Sequence, residues 1–158
     1  MIYILAGDIR TGKTTALQEW IHTWDSVKGI LCPDDENEQR YLFDIDTEIK
    51  YQLQVPEAGE NTISVGRFHF SKDAMKMANY FLIKAFDEGD FEFLVLDELG
   101  KLELKNEGIH MAAKYIIDQY QSNDKQNLLL VVRTFLVKDI LAHYGITSFK
   151  IVAKETLP

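Results

Sequence analysis

Cysteine occurs once in this 158-residue chain, at Cys32, which excludes an internal disulfide and any cysteine-based metal cluster. That lone thiol is expected as a small buried strand residue. Proline occurs three times and glycine nine times, so collagen-like and low-complexity architectures are excluded. No apolar run is long enough to span a bilayer. The opening MIYILA is short and has no basic segment before it, so it reads as a strand and not as a signal peptide. A cytoplasmic location with no membrane partner is the expectation. Arginine is scarce: Arg10, Arg40, Arg67 and Arg133 are the four, too dispersed to form a recognisable lid. Basic clusters with interleaved aromatics are missing as well, and the net charge of −8 opposes nucleic acid, so no nucleic-acid partner is expected. His22, His69, His110 and His143 lack metal-ligand spacing and read as structural or surface residues.

What the chain does have is a core. With 46% hydrophobic and 27% charged residues, it is expected to form a single domain over residues 1–158. A chain of this length buries about 70% of the surface that its unfolded form exposes.

Residues 7–14 read GDIRTGKT and match G-x-x-x-x-G-K-[ST], the phosphate-cradling loop. The context fits, with an apolar strand before the first glycine and a helical pattern after the second. A polyphosphate needs several N–H donors converging on it, and glycine at positions 7 and 12 leaves room for that approach. The helix after Gly12 adds the partial positive charge of its N-terminus. Lys13 is expected between the β- and γ-phosphates, and Thr14 offers a hydroxyl to Mg²⁺. Thr15 either reaches the α-phosphate or is an ordinary first-turn residue. The nucleotide-contacting set is therefore Gly7, Asp8, Ile9, Arg10, Thr11, Gly12, Lys13, Thr14 and Thr15.

Apolar spacing predicts a first helix over residues 13–24, with Leu17, Trp20, Ile21 and Trp24 on its buried face. A short strand follows at 29–32, then a solvated acidic turn at 34–38. Residues 41–46, 49–55 and 62–70 look extended and suggest antiparallel hairpins. Ser71 can cap a helix with the stripe Ala74, Met77, Ala78, Phe81, Leu82 and Ala85, ending at Gly89. Residues 91–96 predict a strand that delivers Asp97 and Glu98 at its end. A helix carrying Ile109, Ala112, Ala113, Ile116, Ile117 and Tyr120 leads to a strand at 128–132 closed by Arg133. A short helix at 137–144 and a strand at 148–153 complete the order. Strands that alternate with helices and are apolar throughout indicate an α/β fold whose mostly parallel sheet is covered on both faces.

An apolar strand ending in an acid is the second half of phosphate-loop machinery, because that carboxylate holds Mg²⁺. Asp97 fills that place, and Glu98 is positioned to deprotonate an attacking water. The pair resembles the additional-strand, catalytic-glutamate division of P-loop proteins. That likeness implies that the strand ending at Arg133 lies between the loop strand and the acidic strand, with Arg133 turned to the γ-phosphate. The alternative for Arg133 is a strand-end salt bridge.

The stretch DELGKLEL resembles the signature of the small nucleoside-triphosphatases first known from hyperthermophiles, also called the cancer-related nucleoside-triphosphatase type. GDIRTGKTT, VGRFHFSKDAMKMAN and LLLVVR are similar to that family too, so the likeness runs from end to end. It implies a RecA-like P-loop NTPase domain with an inserted hairpin region, and slow Mg²⁺-dependent hydrolysis with loose base preference. By the same resemblance Lys13, Thr14, Asp97 and Glu98 take the roles given above. The loop departs from the family in Asp8, Ile9 and Arg10, which are bulky or charged where small residues are usual. Asp8 repels phosphate unless it points away, and Arg10 either leans over the γ-phosphate or is solvated. Lys101 and Glu103 match the signature, with Lys101 expected in a loop, either phosphate-facing or solvated.

The leading expectation is hydrolysis of ATP or GTP to diphosphate and phosphate, with Glu98, Lys13 and Arg133 as catalytic groups and Thr14 and Asp97 on the metal. A small-molecule or nucleotide kinase is the alternative enzyme, and a nucleotide-dependent protein-interaction switch with an unidentified partner is the alternative of another class. No Asn-Lys-x-Asp guanine-reading motif is present, so base choice is unreadable.

Overall fold

The structure, a computed structural model, describes residues 1–8 and 11–158. Ile9 and Arg10, both assigned above to the phosphate loop, lie outside the described residues.

A seven-stranded sheet carries the molecule in the order β10-β1-β9-β8-β2-β3-β4. These strands are β1 (Ile2–Gly7), β2 (Val27–Leu31), β3 (Tyr41–Asp44), β4 (Lys50–Gln52), β8 (Phe93–Leu99), β9 (Asn127–Arg133) and β10 (Lys150–Val152). The first five in spatial order run parallel, and β3 and β4 extend the edge antiparallel. β9 therefore lies between the loop strand β1 and the acidic strand β8, as the additional-strand resemblance implies.

Both faces of the sheet's centre are dry, which explains why β8 and β9 are apolar without alternation. Phe93, Val95, Leu129 and Val131 point to one face, against Leu17 and Trp20 of α1 (Lys13–Trp20). Their neighbours Leu94, Leu96, Leu128 and Leu130 point to the other. That second face is covered by α2 (Lys72–Glu88), α4 (His110–Gln119) and α5 (Val137–Tyr144). Each fully buried leucine removes enough apolar surface to stabilise the fold by about 1.5 to 3 kcal/mol.

Local signals place most helix ends. Ser71 Oγ accepts the Ala74 amide at 3.2 Å, and Gly89 closes α2 in the left-handed region at φ 69°. The first helix is shorter than expected. It ends at Trp20 and tightens into a 3-10 turn over Ile21–Thr23, where the Thr23 hydroxyl donates to the Trp20 carbonyl at 2.7 Å and competes with helix continuation. Trp24 still packs on Phe93, ring centres 4.7 Å apart.

The hairpin region divides differently from the expectation. Residues 49–55 split into β4, in the main sheet, and β5 (Gln54–Val55), in a second sheet of order β5-β7-β6. The break falls at Leu53, whose side chain is buried in the main core. β6 (Thr62–Val65) and β7 (Phe68–Ser71) form a hairpin across Gly66 and Arg67, with Gly66 at φ 58°. Cys32, expected as a buried strand residue, is half-buried and follows β2 instead of belonging to it. Among the described residues no helix is long and apolar enough to cross a membrane.

Candidate active site

Parallel register brings the two sequence motifs together at the carboxyl ends of the central strands. Gly7, the last residue of β1, pairs with Arg133 of β9, and Val132 beside it pairs with Leu99 of β8. Asp97 and Glu98 lie inside β8 and not beyond its end, at an irregularity in pairing between Leu96 and Leu99.

The chain turns at Gly12, φ 81°, which caps α1 and starts it through the Ala16 N–H to Gly12 carbonyl bond. Lys13 is buried, and its ammonium donates to the main-chain carbonyls of Gly7 at 2.9 Å and Asp8 at 2.5 Å. A Cβ at Gly7 would come within 2.8 Å of the Lys13 stem, so glycine there makes room for the lysine. Burial lowers the Lys13 pKa, against the opposing pull of Glu98 and Asp97. Asp8 is exposed, and its carbonyl also accepts the Thr11 hydroxyl at 2.8 Å. Thr14 is half-buried in the first turn of α1, while Thr11 and Thr15 are exposed.

Asp97 is buried, and its Oδ2 accepts the Cys32 amide at 2.9 Å. Burial first, and the Glu98 charge second, push its pKa up to about 6. Glu98 is clamped from two sides: Arg133 Nε donates to Oε1 at 2.8 Å, and Arg40 Nη1 donates to Oε2 at 3.4 Å. The structure thus gives Arg133 the strand-end ion pair, and it makes that pair with the very carboxylate assigned to water activation.

Three features escaped the sequence reading. Arg40 reaches Glu98 across 58 positions and also pairs with Asp34 at 3.8 Å. Burial disfavours its charge, but Glu98 and Asp97 outweigh that and raise its pKa. Arg40, Arg67 and Arg133 line one cavity, so the arginines described are not dispersed in space. Lys154 crosses from the far end of the chain to donate to the Thr11 carbonyl at 2.7 Å, placing a second ammonium on the GDIRTGKT loop. With sequence separations of 58 and 143, no local pattern signals either contact.

Lys101 and Glu103 separate in role. Lys101 is exposed and opens a one-turn helix, α3 (Lys101–Leu104), where a loop was expected. Glu103 is buried and accepts the amides of Gly100 at 2.8 Å and Ile109 at 3.0 Å, holding the β8–α4 connection in place. Burial raises its pKa. Among the histidines, His110 shares a 3.0 Å hydrogen bond with the Tyr144 hydroxyl, and His69 one of 2.6 Å with Ser64. Among the described residues no group of three His, Cys, Asp or Glu could hold a metal by itself.

Set against known proteins, residues 2–155 match the family model described as NTPase. The fold is similar to that of a crystal structure of THEP1 from the hyperthermophile Aquifex aeolicus, with a TM-score of 0.76 over 97% of this chain and 89% of that one. Sequence identity between the two is 16%, so the likeness concerns the fold alone. No curated protein matches the sequence.

Proposed function

The chain belongs to the NTPase family, and from that premise we propose that it is a Mg²⁺-dependent nucleoside-triphosphatase, slow and loose in base preference, releasing diphosphate and phosphate. The observation that carries this reading is the convergence of Lys13, Asp97, Glu98 and Arg133 at the carboxyl ends of the central strands, where the three carboxylate and guanidinium groups all act on the Lys13 charge.

Gly7, Asp8, Thr11, Gly12, Lys13, Thr14 and Thr15 supply the loop, with the first amides of α1 as anion donors. Ile9 and Arg10 complete it in sequence. Lys13, now occupied by the Gly7 and Asp8 carbonyls, exchanges them for the oxygens of the triphosphate, which are stronger acceptors because they are charged. The Thr14 hydroxyl and the Asp97 carboxylate fit Mg²⁺, since both are hard oxygen donors and Asp97 is a buried acid short of compensating charge. When bound, the ion supplies positive charge to the phosphate oxygens.

Glu98 takes a proton from the attacking water. Arg133 and Arg40 hold its two oxygens in a fixed orientation and place guanidinium charge beside the phosphoryl group as negative charge shifts in the transition state. The carboxyl ends of β1, β9 and β8, rather than any single loop, set that geometry.

The test is a phosphate-release panel over the common triphosphates, with and without Mg²⁺. Release that requires Mg²⁺ and varies little with the base supports the reading. No release from any triphosphate overturns it.

A further inference from the structure

Beyond Glu98 lies a cavity of about 620 Å³ that water attack leaves unused. That volume is in the range of small-molecule sites. Its apolar walls include Ile30 and Leu42 from the sheet, Met75 and Ala78 from α2, and Val65 and Phe70 from the small β5-β7-β6 sheet, which acts as its cover. Asp97, Glu98, Arg40 and Arg133 enter the lining, and so do Asp34, Glu38, Arg67, Lys101 and Glu103, yet most of its surface is apolar.

Strand order fixes which side of the reaction this cavity serves. The phosphate loop follows β1, β9 and β8 come next, and the cavity is walled by residues of β2 and β3 farther along. A triphosphate gripped by the loop with its terminal phosphoryl toward Glu98 has its nucleoside at the opposite end of the phosphate chain. The cavity is therefore on the acceptor side and not the base side. An apolar wall is also a poor place for water, which needs several polar partners to be held.

We propose that this cavity is a second-substrate site for an apolar molecule bearing a hydroxyl group, which accepts the terminal phosphoryl in competition with water. The proposal rests on the triphosphatase reading for the loop and for Glu98. In the step, the hydroxyl oxygen forms a bond to the γ-phosphorus. The bond from that phosphorus to the β–γ bridging oxygen breaks, and its electron pair leaves with the nucleoside diphosphate. The hydroxyl proton goes to Glu98, and the products are a phosphate monoester and the diphosphate. A carboxylate poised for water serves a hydroxyl by the same proton transfer.

The full chain is given terminally labelled ATP and Mg²⁺ with benzyl alcohol as the probe, and with glycerol at equal hydroxyl concentration as the polar control. Burial of the ring is expected to make benzyl phosphate exceed glycerol phosphate by about tenfold or more. Val65→Trp and Ala78→Phe fill the cavity from its cover and from α2, away from the phosphate loop. Each is expected to cut benzyl phosphate by about tenfold while phosphate release to water stays within about twofold. Equal transfer to glycerol, transfer unchanged in both variants, or no benzyl phosphate from a chain that releases phosphate overturns the proposal. A separate readout follows the Met75 methyl signal by NMR as benzyl alcohol is added without nucleotide. Saturable shifts that vanish in Val65→Trp support the site, and no saturable shift overturns it whatever the nucleotide chemistry does. A chain that shows those shifts yet binds no triphosphate defeats the triphosphatase reading instead, and the transfer step with it.

Discussion

Asp97 has only 2% of its surface exposed, and its pKa is pushed up to about 6 by burial and then by the Glu98 charge. A carboxyl group whose folded pKa lies above its unfolded value holds its proton more tightly in the folded chain. Its contribution to stability is present below the unfolded value and is lost as pH rises through about 6. Metal-free Asp97→Asn is therefore expected to be more stable than the natural chain at pH 7.5, by on the order of 1 to 3 kcal/mol, with little difference near pH 4. Denaturant titrations in a chelator at the two pH values measure this. Equal or lower stability of the Asn variant at pH 7.5 would show that the burial penalty is compensated some other way. Lys13→Ala is the complementary change. It removes charge-assisted hydrogen bonds and is expected to weaken triphosphate binding by roughly 1.5 to 3 kcal/mol. Calorimetric titration checks it, and an unchanged dissociation constant counts against the lysine's role.

Among elements, β2 shows a constraint with no outward sign in the sequence. Gly29 pairs with Val95 of β8 at φ 115°, and a Cβ built there would be 2.1 Å from the Val95 carbonyl oxygen. Gly29→Ala is expected to cost more than about 2 kcal/mol, because both the backbone angle and the close approach to β8 exclude a side chain. Thermal unfolding with a native-like midpoint would contradict that. The sequence shows a glycine at the start of a short strand, and nothing in its neighbours announces the crowding, which depends on a strand 66 positions away. By contrast, α2 was legible almost to the residue, because Ser71, the apolar stripe and Gly89 are local signals whose physics is complete within one helix. The 41–70 region was legible as extended segments in antiparallel hairpins, but its division between two sheets was not. Which strands joined the main sheet and which formed the small one depended on where Leu53 could be buried. The chemistry-bearing motifs followed the same rule. GDIRTGKT and the Asp97-Glu98 pair were readable in place, while the Arg40 clamp on Glu98 was visible only once the sheet had set the residue before β3 across β2 from β8.

For the molecule as a whole, the segment that carries Lys154 and Pro158 closes on the loop after β1. Lys154 holds the Thr11 carbonyl, and the Trp20 indole donates to the Pro158 carbonyl at 2.8 Å, so the last segment braces both the loop and the helix it feeds. A ligand that engages the loop should therefore stabilise the entire domain. At one hundred times its dissociation constant, a non-hydrolysable triphosphate analogue with Mg²⁺ is expected to add about 2.7 kcal/mol and raise the melting temperature by roughly 5 to 10 °C. Lys154→Ala should retain the fold and show a smaller shift. A scan in which the analogue moves neither protein would exclude a loop-wide coupling.

In the proposed mechanism Glu98, held by Arg133 and Arg40, is the base that activates the attacking group. Its most direct test compares single-turnover phosphate release from MgATP by the natural chain and by Glu98→Gln, with nucleotide affinity measured on both. Release is expected to fall by about 10² to 10⁴ in the variant while affinity is nearly unchanged. Release at an equal rate from both proteins would contradict the assignment.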